Sequence, residues 1–179
     1  QLFIILPSKI FLEIIKYNNE IQKKLNIDIN YYKEYSEIYT KIILEIIPTK
    51  NILGNFINIS KGEESFYHIY FNDDDNNEIK RYYLSVKDNV TKIKIIMDYQ
   101  SSFNGLFKNC KCIKSINFIK CHRININNTS YLFSGCSSLK KILLTNFKTN
   151  NVKNMLNMFS GCSSLKELDL SKFNTENVK

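Results

Sequence analysis

Phe133-Ser-Gly-Cys-Ser-Ser-Leu-Lys140 returns letter for letter as Phe159-Ser-Gly-Cys-Ser-Ser-Leu-Lys166, 26 residues later. Extended outward, Leu132 to Lys153 and Met158 to Lys179 agree at 14 of 22 positions without a gap. One further step back, a degenerate copy aligns Leu106-Phe107 with Leu132-Phe133, Cys110 with Cys136, Ile113 with Leu139 and Ile116 with Ile142. Self-similarity at a fixed period of this length marks an array in which neighbouring copies share one core.

Within a copy, two periodicities alternate. Leu165, Leu168 and Leu170 have the L-x-x-L-x-L spacing, whose last two members fall at strand period. Val152, Met155 and Phe159 lie at i, i+3 and i+7, which predicts one face of a short helix capped by Thr149 or Asn150. Gly135 and Gly161 are expected to end that helical side at positive φ. The fold class that follows is α/β: a leucine-rich-repeat solenoid with strand, Phe corner (Phe147, Phe173), short helix and Gly turn in each coil.

The run Met158 to Leu170, followed by Ser171-Lys-Phe-Asn-Thr-Glu-Asn-Val178, resembles the repeat of BspA-like leucine-rich-repeat proteins. The resemblance covers Leu132 to Lys179 closely and Leu106 to Tyr131 weakly. It implies a right-handed solenoid used for binding, frequently in surface proteins. The array is cut in mid-repeat after Val178-Lys179, so a fragment of a longer array is expected, with an open end prone to end-to-end association.

Upstream, residues 8–25 place Ile10, Phe11, Ile14, Ile15, Ile21 and Leu25 near helix period, and residues 31–47 do so with Tyr35, Ile38, Tyr39, Ile42 and Ile46. Pro48 fits the stop. The expectation is a helical hairpin; Leu6-Pro7 with Ile10 and Ile14 also resembles the start of an F-box helix pair. Strand texture follows at 51–59, 65–71, 80–84 and 92–99, with a polar turn at 72–77. Ile93 to Met97 is expected to pair with the first repeat strand and cap it. Three domains result: a helical segment over 1–50, a β-rich capping unit over 51–104 and the array over 105–179.

Charge divides at the same place. Residues 1–104 carry 13 basic and 14 acidic side chains, and residues 105–179 carry 12 and 3. A basic half attracts nucleic acid, an anionic membrane surface or an acidic protein. Only Arg123 in that half could supply the guanidinium fork on which base reading leans, so its lysines read as a solvated face. No run has transmembrane length, and the short apolar start at Leu2 to Leu6 lacks the flanks of a signal peptide. The compartment is cytoplasmic if the chain is complete at its N-terminus, and the cell surface if a leader is missing.

Chemistry is sparse. Cys110, Cys136 and Cys162 share one repeat position and are expected to stack as a structural ladder of small buried side chains. Cys110, Cys112, Cys121 and His122 lack the paired spacing of zinc sites, so no metal is expected. Asp73-Asp74-Asp75-Asn76-Asn77 starts like a calcium loop, but Glu78 and Leu84 stand where Gly and Glu belong. Asn58, Asn89, Asn127 and Asn128 head glycosylation sequons, which matter only in a secreted protein. With two His, no Gly-rich phosphate loop and no nucleophile elbow, neither catalysis nor a cofactor or small-molecule substrate is expected.

A constant frame with a changing face is what a binding array looks like. Strand positions between the buried leucines point outward. They are Ser115, Asn117 and Ile119 in the degenerate copy, Lys141, Leu143 and Thr145 in the next, and Glu167, Asp169 and Ser171 in the last. These nine are the expected contact grid for a protein partner; the competing expectation is an adhesin-like surface scaffold on the same fold.

Overall fold

The computed structural model describes residues 18–25, 40–98, 100–122 and 125–179. The chain divides into two units, Gln1–Thr40 and Lys41–Lys179. In the first, the described helix is α1, Asn19–Leu25. The Asn18 side chain caps it, Oδ1 accepting the Ile21 N–H at 3.0 Å. Glu20 in the first turn and Lys23 and Lys24 in the last suit the helix dipole. The rest of the helix expected over 8–25, and the F-box-like residues, lie outside the described residues.

The second unit is built of β-structure. Strands β1 (Ile42–Pro48), β2 (Gly54–Asn55), β3 (Tyr67–Phe71), β4 (Tyr83–Leu84), β5 (Ile93–Met97), β6 (Ile113–Lys120) and β7 (Lys141–Leu143) form two sheets. The larger runs β3-β5-β1-β6-β7, and the smaller pairs β2 with β4. All pairs are antiparallel except β6 with β7, where Ser115 meets Lys141 and Asn117 meets Leu143 in parallel.

The expected α/β leucine-rich-repeat solenoid behind a helical hairpin is therefore corrected. Among the described residues helix is confined to α1 and a single 3-10 turn at Glu64–Phe66. Two physical causes account for the difference. Ile42–Pro48 is so rich in isoleucine that apolar residues satisfy period 3.6 and period 2 together. The β-branched side chains and pairing with a strand on each side decide for strand, with Ile42, Leu44, Ile46 and Pro48 inward. This strand, not Ile93–Met97, lies against the first repeat strand, and β5 sits on its far side.

The second cause is handedness. Residues 105, 131 and 157, and again 109, 135 and 161, adopt positive φ at the 26-residue period. Two left-handed residues four apart break any right-handed helix. The intervening chain makes short turns, such as Cys110 N–H to Phe107 O at 3.1 Å. Alternate N–H groups instead reach the next copy: Gly105, Phe107 and Asn109 donate to Ser130, Leu132 and Ser134 carbonyls, and Tyr131, Phe133 and Gly135 to Leu156, Met158 and Ser160. Thr149 is no helix cap. Its hydroxyl is buried, donating to Asn174 O at 3.0 Å and accepting the Asn174 N–H at 2.7 Å.

The copies share a core. Phe107, Phe133 and Phe159 stack with centroids 5.7 and 5.6 Å apart, and Phe118 meets Phe147 edge-on at 5.0 Å. The carbonyl row of the first copy is closed by Asn58. Its N–H donates to Leu106 O at 2.8 Å, and its side-chain amide donates to Gly105 O and Lys108 O at 3.1 and 2.8 Å. Asn58→Leu is expected to lower unfolding free energy by about 1–2 kcal/mol, since Lys108 O loses its amide donor and Gly105 O keeps only the Lys108 N–H. Urea denaturation checks this; an unchanged midpoint would show that Asn58 is not the cap.

Candidate functional site: the outer face of the five-stranded sheet

Strand alternation sends one set of side chains to the core and the other to the opposite face. On that outer face the register draws a continuous row, Tyr70–Lys94–Glu45–Asn117–Leu143, across all five strands. A second row joins His68, Ile96, Ile43 and Lys120, and a third joins Ile47, Ser115 and Lys141. Ile47, Ile119 and Leu143 are 37%, 40% and 38% exposed, so aliphatic surface lies among polar side chains.

The charged residues of this face are organised at its β3–β5–β1 end. His68 Nδ1 lies 3.0 Å from Glu78 Oε1, and Nε2 lies 3.3 Å from Asp98 Oδ2. Lys41 reaches Asp98 Oδ1 at 2.9 Å and Lys80 reaches Glu78 at 2.6 Å. The hydrogen bond from Lys80 holds the Glu78 carboxyl below its ordinary range. Asp98 is also held low: burial opposes this, but hydrogen bonds from Lys41 and His68 outweigh it. Lys94 lies over the Tyr70 ring, 5.9 Å from its centroid, while pairing with Asp75 at 2.7 Å.

The nine grid residues divide. Ser115, Asn117 and Ile119 stand on β6, and Lys141 and Leu143 on β7, all on the outer face. Thr145 is exposed just past β7. Glu167, Asp169 and Ser171 are exposed but lie outside any strand. Asp169 Oδ1 there accepts the Ser171 N–H at 2.9 Å, and hydrogen bonding from the Ser171 hydroxyl first and its N–H second, with Lys172 adding less, holds the Asp169 carboxyl low. The sequence reading missed the continuation of the grid through Ile43, Glu45, Ile47, Lys94, Ile96, His68 and Tyr70. The signal available was slight: Glu45 and Lys94, each set between apolar residues, mark the outer side of β1 and β5.

The other motifs have structural occupations. Cys136 donates its thiol to Phe107 O at 2.9 Å, and Cys162 to Phe133 O at 3.1 Å. Burial raises the Cys136 thiol to about 12 and Cys112 to about 11, so neither is a thiolate at neutral pH. The acidic turn engages lysines, Asp73 with Lys92 at 2.5 Å and Asp75 with Lys94. Among the described residues no group of three His, Cys, Asp or Glu side chains is placed to hold a metal.

Two clefts accompany the sheet. One of about 340 Å³ lies between residues 48–53 and 84–91, where Asp88 is engaged by Arg81 and by Ser85. The other, about 200 Å³, is lined by Glu63, Tyr67, Gln100 and neighbours. Burial keeps the Tyr67 hydroxyl protonated, and it accepts the Gln100 amide at 2.5 Å. No helix among the described residues is long and apolar enough to cross a membrane.

Residues 101–179 match a family described as "Mycoplasma protein of unknown function, DUF285". The matched stretch begins just before the first sequence copy and takes in all three. No curated protein and no solved structure matches the chain.

Proposed function

We propose that this chain is a non-catalytic protein-interaction module that binds a protein partner through the outer face of its five-stranded sheet. The observation that carries the reading is the aliphatic surface of Ile47, Ile119 and Leu143 at 37 to 40% exposure, set in a polar frame on one regular face. Interfaces commonly take this form, with apolar contacts inside a polar rim. The family match over 101–179 is compatible with the BspA-like resemblance of the copies and identifies no partner.

The test is a double substitution. Ile119→Ser with Leu143→Ser removes aliphatic contact from β6 and β7 without touching the core. A partner verified by reciprocal capture is expected to bind the variant at least tenfold more weakly, the scale of one to two lost hot-spot contacts. The melting temperature is expected to stay within a few degrees. Equal affinity in a folded variant would remove this face from consideration.

A second reading is an adhesin-like surface protein that uses the same face outside the cell. It is favoured by the resemblance of Met158 to Val178 to repeats frequent in surface proteins. Protease treatment of intact cells separates the two: loss of the chain supports the surface reading, and full protection excludes it.

A further inference from the structure

Among the described residues every ion pair lies between Lys41 and Asp98. The copies carry most of the excess positive charge, yet Lys114, Lys140 and Lys166 have no carboxylate of a described residue within ion-pair reach. These three occupy one repeat position and all are exposed. The Lys140 N–H donates to Lys114 O at 2.8 Å, so the backbones of the first two run side by side, about 4.8 Å apart, and the third copy follows on the second nearby, the Ser163 hydroxyl donating to Ser137 O at 3.4 Å. Lys111 and Lys141, both exposed, flank the line. The nearby acids are Glu167 and Asp169, and Asp169 is engaged by Ser171.

Stacked like charges repel, and a protein that does not neutralise them internally presents a cationic line to its surroundings. We infer that this lysine ladder docks an acidic segment of a protein partner, an extended stretch bearing Asp or Glu along one side. The inference rests on the protein-binding reading above and names the chemistry of the partner. Three features select this occupant. The line is narrow and runs along the stacking direction, so it suits a linear partner better than a plane. Residues 111–116, 137–142 and 163–168 contain no aromatic ring on which a base could stack and no arginine fork for phosphate. An extended chain repeats its same-side carboxylates roughly 7 Å apart, within the swing of lysine stems on successive copies.

Three labelled probes test this on the full chain: polyglutamate, oligothymidylate and phosphatidylserine vesicles. The variants are the triple Lys114→Gln/Lys140→Gln/Lys166→Gln and the double Ile119→Ser/Leu143→Ser. Saturable polyglutamate binding is expected, weakened about tenfold in the triple variant by loss of three exposed ion pairs and unchanged in the double variant. Circular dichroism confirms that both variants fold. No polyglutamate binding, equal binding by the triple variant, or tighter binding of oligothymidylate or vesicles would overturn the proposal. Where a verified partner is lost by the double variant and kept by the triple variant, the acidic segment is excluded while the sheet-face reading stands. The reverse pattern removes the aliphatic face and leaves the ladder.

Discussion

Phe133→Ala is expected to lower the unfolding free energy by about 3–5 kcal/mol, the largest loss from any single side chain in the copies. Phe133 is fully buried. Its ring stacks on Phe107 at 5.7 Å and on Phe159 at 5.6 Å, and meets Phe118 edge-on at 6.3 Å. Truncation therefore removes contacts with both neighbouring copies as well as with β6. The cavity cannot collapse easily, because the backbone on either side is tied to the adjacent copies by the N–H groups of Phe107 and Phe133. Phe159→Ala, at the same repeat position but only partly buried, is expected to lose less than half as much. Denaturant titration of both variants makes the comparison; equal losses would mean that the stack does not share load between copies.

Gly135→Ala is expected to cost about 2–4 kcal/mol, from left-handed strain and steric overlap acting together. Gly135 has φ of 76°, and an added Cβ would lie 2.1 Å from Asn109 Oδ1 and 3.2 Å from its Cγ. The Asn109 backbone is fixed, left-handed at φ 59° with its N–H held by Ser134 O at 2.7 Å, so relief requires its exposed side-chain amide to turn away. Gly161→Ala provides the internal control. Its φ is 74°, but its nearest neighbours are Gly135 backbone atoms at 3.4 Å, so strain alone applies and about 1 kcal/mol is expected. A Gly135 variant no worse than the Gly161 variant would show that the overlap relaxes freely.

These two residues also show what could be read from the chain. Exact recurrence fixed the register of the copies, and with it the positive φ of Gly135 and Gly161. The helix expected from Val152, Met155 and Phe159 does not form. Its flaw was to treat apolar spacing as conformation, when the left-handed residues at the same period include Tyr131 and Asn157 as well as glycine. Tyrosine gives no hint of positive φ; only alignment with Gly105 could have raised it. The misreading of Ile42–Pro48 has another origin. A run apolar at nearly every position carries no periodicity, and tertiary partners decide. Because that strand joins β6, half of the candidate face stayed invisible while the repeat half was legible.

The position of β6 has a consequence for assembly order. On one side it meets β7 in parallel, Ser115 with Lys141, across a single repeat length. On the other it meets β1, Leu44 with Phe118, across a loop nearly three times longer. Closing the longer loop costs about 1 kcal/mol more in chain entropy before any contact offsets it. Local closures precede distant ones when rewards are similar. The copies, like the β3–β5 pair with Phe71 opposite Ile93, are thus readily nucleated, and β6 is the template on which β1 is later recruited.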